Sequence, residues 1–119
     1  MDRQTLGKRG EDLAAEYLEG LGWRVVERRW RCAAGEVDLV AVEPGERPVT
    51  VFCEVKTRSG LGFGEPLEAI TRAKMARLRI LAAQWMRERH PRTMSRVDGI
   101  GILLRPGWDP LITHVRGIS

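Results

Sequence analysis

The chain is short of several things, and each shortage removes a class of protein. It has two cysteines in 119 residues, Cys32 and Cys53, with no CxxC pair. They cannot make a zinc site alone and read as two reduced thiols. Its two histidines, His90 and His114, lie far apart and lack metal-ligand spacing, so both read as surface or satisfied structural residues. No stretch approaches the roughly 20 apolar residues of a membrane span. The opening MDRQTLGKRGEDL lacks the apolar segment of a secretory signal, which makes the cytoplasm the expected compartment. There are no internal repeats, no low-complexity tracts and no long linker, so one domain over residues 1–119 is expected. A domain of this length buries roughly two-thirds of its unfolded surface, enough for a core without disulfides or structural metal.

Lysine is scarce as well. Of the 20 basic residues, 17 are arginine and three are lysine: Lys8, Lys56 and Lys74. In so arginine-rich a chain, a lysine persists either as a remnant of the bias or where a compact ammonium is required. The net charge of +4 and a pI near 9.7 permit a nucleic-acid partner without proving one.

What is present is a close succession of elements. Residues 5–21 carry Leu6, Leu13, Tyr17, Leu18 and Leu21 at helical spacing, ended by Gly20 and Gly22. Residues 23–30 (WRVVERRW), 35–42 (GEVDLVAV) and 49–57 (VTVFCEVKT) read as strands, the last two joined by the turn EPGERP. A glycine-rich loop, 59–65, precedes a long helix with Pro66 in its first turn, stopped by His90-Pro91. Residues 97–104 are apolar enough for a central strand, and 111–118 form a last one after the turn PGWDP. The order αβββαββ describes an α/β (α+β) domain with a mixed sheet. The third-to-fourth strand connection has the length of a parallel crossover.

Chemistry concentrates on the third strand. Alternation puts Thr50, Phe52, Glu54 and Lys56 on one face, and on the second strand it puts Glu36, Asp38, Val40 and Val42 together. A hairpin symmetric about Glu46 sets Asp38 opposite Glu54. Two carboxylates about 5 Å apart repel by roughly 3 kcal/mol at an effective dielectric near 20. That is a large share of a small domain's stability of about 5–15 kcal/mol, so such a pair needs a cation or a shifted pKa. Lys56 supplies one charge, and a divalent metal with oxygen ligands would supply more. On the first helix, Asp12, Glu16 and Glu19 point away from the apolar stripe while Glu11 sits at its edge. Gly7 and Gly10 on the apolar side allow close approach to the sheet. Lys74 falls within the apolar stripe of the long helix, formed by Leu67, Ile70, Leu78, Leu81 and Trp85. It is either a site residue or a snorkelling side chain.

Asp38, 15 intervening residues and Glu54-Val55-Lys56 resemble the PD-(D/E)xK pattern of the restriction-endonuclease-like superfamily, with Val37 in place of the proline. GKRGEDLAAEYLEGLGW, GEVDLV, FCEVKTR, the FGEP-to-Lys74 stretch and RVDGIGI more closely resemble the YraN-like family of small bacterial proteins. The resemblance implies a restriction-endonuclease-like αβββαβ core and acids around Mg²⁺ or Mn²⁺. Asp38 and Glu54 would be ligands, the Val55 carbonyl a third, and Glu11 a further one, directly or through water, as in Holliday-junction-resolvase-like members. The expected reaction is phosphodiester hydrolysis in nucleic acid, DNA in the first instance and tied to repair or recombination. Lys56 would orient water or stabilise charge, and Lys74 and Arg58 would contact phosphates. Glu36 would hold Lys56 or a second metal, or be a strand-end surface charge. Arg28, Arg29 and Arg31 around Trp30 suit phosphate contact and base stacking, or form a solvated strand face beside a core tryptophan. Asp98 reads as structural, paired with Arg96 or a backbone amide. The junction-resolving variant would need a homodimer. The rivals are a nucleic-acid-binding module with an unused site and a partner-docking module.

Overall fold

A strand with neighbours on both edges organises the molecule. In the computed structural model, which describes residues 2–60 and 66–118 apart from the side chain of Glu68, β3 (Val49–Arg58) is the middle of a five-stranded sheet. Its order is β1 (Arg24–Cys32), β2 (Gly35–Glu43), β3, β4 (Met94–Leu103), β5 (Leu111–Val115). Only β3 and β4 run parallel, joined by a crossover through a 3-10 turn, Pro66–Ala69, and helix α2 (Arg72–Arg89). The other neighbours are antiparallel. The mixed α+β order matches the expected αβββαββ and is compatible with a restriction-endonuclease-like core.

The alternation of β3 builds two cores. Val51, Cys53 and Val55 pack with Leu39, Ala41, Ile100 and Ile102 against Ala14, Ala15 and Leu18 of α1 (Arg3–Gly20). On the other face Phe52 joins Val40 and Val97 against Met75, Leu78, Leu81, Ala82 and Trp85 of α2. Cys53 is buried and both cysteines are free thiols.

The element ends depart from sequence expectation for local reasons. Helix α1 starts at Arg3 because Asp2 caps it, its carboxylate accepting from the Thr5 N–H at 2.8 Å. It stops where Gly22 takes φ +89°, a conformation suited to glycine. The expected continuous helix from Pro66 is two pieces, since Thr71 caps a fresh start with its hydroxyl on the Lys74 N–H. Leu67 and Ile70 therefore leave the α2 stripe and lie over Gly99 and Gly101. A Cβ on Gly99 would come within 3.1 Å of Ile70, and one on Gly101 within 3.0 Å of Leu67. Strand β4 begins at Met94, earlier than expected, and β5 ends at Val115 rather than 118. Of the glycine-rich loop 59–65, residues 61–65 lie outside the described residues.

Asp98 is the polar node of this frame and is fully buried. Its carboxylate accepts from Arg96 Nε and Nη2, from the Gly117 N–H at 3.0 Å and from His114 Nε2 at 2.8 Å. His114 Nδ1 meets the Tyr17 hydroxyl at 2.9 Å, so a neutral ring protonated on Nε2 satisfies both partners. Burial pushes the Asp98 carboxyl up, but these donors outweigh it and hold it at about 2. Asp98 and His114 are thus structural, tying β4, β5 and α1 together.

Helix α1 comes close against the sheet at Gly10, where a Cβ would lie 1.8 Å from Thr57 Oγ1 and 2.9 Å from its Cβ. Gly10→Ala should destabilise the domain by about 1–3 kcal/mol, a loss of several degrees or more in Tm. Thr57→Ala in the same chain removes the nearest clashing atom and should restore part of the loss, as measured by thermal unfolding.

Candidate functional site

The β2–β3 ladder keeps the predicted symmetry about Glu46, pairing Glu43 with Val49 through to Leu39 with Cys53. At Asp38 the pattern changes. Its Oδ2 accepts the Val55 N–H at 2.7 Å, so a side chain takes the amide that a ladder partner would otherwise take. Across β1, Arg28 pairs with Leu39 and Trp30 with Val37, while Arg29, opposite Asp38, has φ 51°. Val37 and Val40 both pack on the α2 side. Strict alternation therefore fails between them, and the expected single face for Glu36, Asp38 and Val40 is replaced by a local irregularity. Such breaks cluster beside functional sites.

The irregularity brings Asp38 against Glu54, near enough for their carboxylates to hydrogen bond. Burial pushes Asp38 up to about 7, with the charges of Glu54, Glu11 and Glu36 adding to it and the Val55 N–H opposing. Burial also raises Glu54, against the pull of Lys56 and Lys74. Both carboxyls are thus held above their ordinary range, and one proton shared between them relieves their mutual repulsion. Lys56 is lowered by its own burial and by the Lys74 ammonium beside it. Lys74, expected either at the site or snorkelling, thus stands next to Lys56 and within reach of Glu54. It is there because Thr71 starts α2 three residues earlier.

Glu11 is buried and carries an ion pair from Arg29 at 2.9 Å. With Lys56, Lys74, Arg58 and Arg3 it lines a cleft of about 690 Å³ between the start of α1 and the carboxyl end of β3, the end of parallel strands where open α/β sheets place ligands. Arg58 Nε is buried there without a hydrogen-bond partner among the described residues. Arg3 was not foreseen, since the helix was expected to begin after it. Its only signal was the capping Asp2.

The other candidates lie differently. Glu36 is held by Arg31 at 2.8 Å, not by Lys56, and faces a smaller pocket with Glu54, Lys74 and Arg77. Arg28 bonds Asp12, Arg29 bonds Glu11 and Arg31 bonds Glu36, so all three are engaged with carboxylates of the chain itself. Trp30 is a core residue.

The donor set fits a hard divalent cation in part. Asp38 and Glu54 offer adjacent carboxylate oxygens, and Mg²⁺ commonly takes one or two carboxylates plus water. The Val55 carbonyl leaves β3 on the same edge as the N–H that Asp38 binds. Glu11 could join only by releasing Arg29. Among the described residues no three carboxylate, histidine or cysteine side chains converge as a ready cage.

Comparison with known proteins places the chain in a family. The family described as "Uncharacterised protein family UPF0102" matches residues 10–102, which hold every acid and lysine of the cleft. The chain belongs to the UPF0102 family. It is 51% identical over 115 residues to a UPF0102 protein of Clavibacter michiganensis, covering 95% of this chain and 94% of that one. A relative from Nocardia farcinica is 45% identical over 118 residues, covering 98% and 91%, and one from Rhodococcus opacus 50% over 114, covering 94% and 93%. The resemblance read from GKRGEDL, GEVDLV and FCEVKTR is therefore that of this family.

Because Asp38 in the folded UPF0102 chain holds a proton up to about pH 7 while an unfolded aspartate releases it near 4, wild-type stability should fall as pH rises across that window. Asp38→Asn keeps an acceptor for the Val55 N–H and removes the buried charge. Without divalent metal, its Tm should exceed wild type at pH 8 by several degrees, and by less at pH 5. A gain that does not grow with pH would contradict the shared-proton description.

Proposed function

We propose that the chain is a metal-dependent nuclease that hydrolyses phosphodiester bonds, with Asp38, Glu54 and Lys56 at its centre. One observation carries this reading. At one end of β3, a pair of carboxylates, Asp38 and Glu54, stands beside a pair of adjacent ammoniums, Lys56 and Lys74; the two lysines line the cleft, and Glu54 lines the smaller pocket that shares Lys74 with it. The first pair calls for a cation and the second for an anion, and a phosphodiester bound through a divalent metal supplies both.

Asp38 and Glu54, with the Val55 carbonyl, would hold Mg²⁺ or Mn²⁺. That ion, when bound, polarises a phosphoryl oxygen and acidifies water. Lys56 reaches past Glu54 into the cleft, where it orients water or stabilises charge developing on the phosphate. Lys74 and Arg58 anchor the scissile phosphate or its neighbour, as point charge and fork respectively. The engaged Arg28, Arg29 and Arg31 are secondary to them. Glu11, neutralised by Arg29, supports the site from α1 and would add a ligand when that pair opens. With no base-reading motif in the sequence, recognition of backbone and shape is the expected mode, which suits a DNA substrate of unusual structure in repair or recombination.

The same geometry without turnover would be a nucleic-acid-binding module, favoured only by the partial donor set. The test uses labelled single-stranded, linear duplex and four-way-junction DNA with Mg²⁺, Mn²⁺ or chelator. Cleavage should require metal and fall at least about 100-fold in Lys56→Ala and in Glu54→Gln. Binding without cleavage under every metal would exclude the enzyme and leave the module.

A further inference from the structure

Beside the cleft, and sharing Leu6 and Ser59 with it, is a second pocket of about 300 Å³. Its walls are Arg9 of α1 and the β4–β5 turn, with Arg105, Pro106, Trp108 and Pro110. Trp108 is 68% exposed, the most exposed of the large apolar side chains among the described residues. Its position is set by the turn: Gly107 takes φ +77° and the Trp108 N–H donates to the Arg105 carbonyl at 3.1 Å. The Arg105 guanidinium lies 4.8 Å from the ring centroid. One guanidinium covers at most one face of a ring so exposed.

Two features decide what such a surface takes. Among the described residues the pocket is lined by two arginines and no carboxylate, and it adjoins the cleft lined by Arg3, Lys56, Arg58 and Lys74, whose one acid there, Glu11, is held by Arg29. Its volume lies at the low end for a small-molecule site, room for one heterocycle rather than for a helix or strand of a partner. A flat, cationically flanked aromatic beside a phosphate site is the arrangement that single-stranded nucleic acids use, with the backbone held by charge and the base stacked on the ring.

We propose that Trp108, backed by Arg105, is a stacking ledge for an unpaired nucleobase of the strand whose phosphate enters the neighbouring cleft. This inference rests on the nucleic-acid reading of that cleft but not on its catalytic activity. It makes a strand with an extruded or unpaired base, rather than continuous duplex, the preferred ligand.

The test is binding in chelator, so that cleavage plays no part. The probes are an oligothymidylate of about 12 nucleotides and an abasic oligomer of the same length and charge. Trp23, Trp30 and Trp85 are buried, so quenching of tryptophan fluorescence by oligothymidylate reports on Trp108. Wild type should show this quenching. Trp108→Ala should bind oligothymidylate about tenfold more weakly, while Trp108→Phe keeps most of the affinity and both variants bind the abasic oligomer as wild type does. Equal oligothymidylate affinity in Trp108→Ala would overturn the ledge and leave the cleft reading standing. Equal weakening toward both probes would overturn it as well, since the change would then be structural or electrostatic. Failure of wild type to bind either oligomer would bring down the nucleic-acid reading and the ledge together. Matching melting curves establish that the variants are folded.

Discussion

A buried amide must find an acceptor, and the N–H of Val55 finds a side chain instead of a strand. Much of the site's character follows from that substitution. To reach the amide, Asp38 must turn in beside Glu54, and the regular alternation of β2 breaks at that point. Once there, the carboxylate is short of water and faces other acids, so it retains a proton that an exposed aspartate would have released. A backbone requirement in the middle of a sheet thus becomes a chemical property of two side chains.

The contrast with Asp98 shows that burial alone does not set this property. Asp98 is the more deeply buried of the two, yet it stays ionised to about pH 2 because Arg96, His114 and a backbone N–H all donate to it. Asp38 receives one N–H and otherwise meets carboxylates. The first is a completed network that ties strands to a helix. The second is an incomplete one, held in place by the cores on either side of β3. Completed networks favour rigidity, whereas incomplete ones are where perturbed groups and ligands coincide.

The elements that follow from side-chain periodicity were readable in the sequence. The three leading strands, the crossover and the symmetric hairpin each follow from periodicity or turn placement, whereas the approach of Asp38 to Glu54 also depends on a break in β2 that strict alternation did not foresee. What was not readable depends on single contacts at a distance. The break between Ala69 and Arg72 arises because Leu67 and Ile70 have Gly99 and Gly101 to lie against, thirty residues further along the chain. The engagement of Arg28, Arg29 and Arg31 depends on which acids α1 and β2 bring alongside, so a run that looked like an open basic face is internally matched. For Glu36 the sequence left open Lys56, a second metal and a strand-end surface charge, and the β1–β2 register sets it beside Arg31. Trp108 carried no periodic signal at all, being one residue in a turn.

That internal matching has an effect beyond the strand where it occurs. Arg28, Arg29 and Arg31 contribute to the overall excess of positive charge, but each sits against its own counter-ion, and their far field largely cancels. Among the described residues, Arg3, Lys56, Arg58 and Lys74 of the cleft form no direct ion pair, although Lys56 and Lys74 stand near enough to Glu54 to act on it. The cleft is therefore one place where a distant polyanion would meet positive charge that neighbouring acids do not hold in direct ion pairs. A polyanion approaching that side would be drawn toward the cleft before contact, and added salt would weaken the pull.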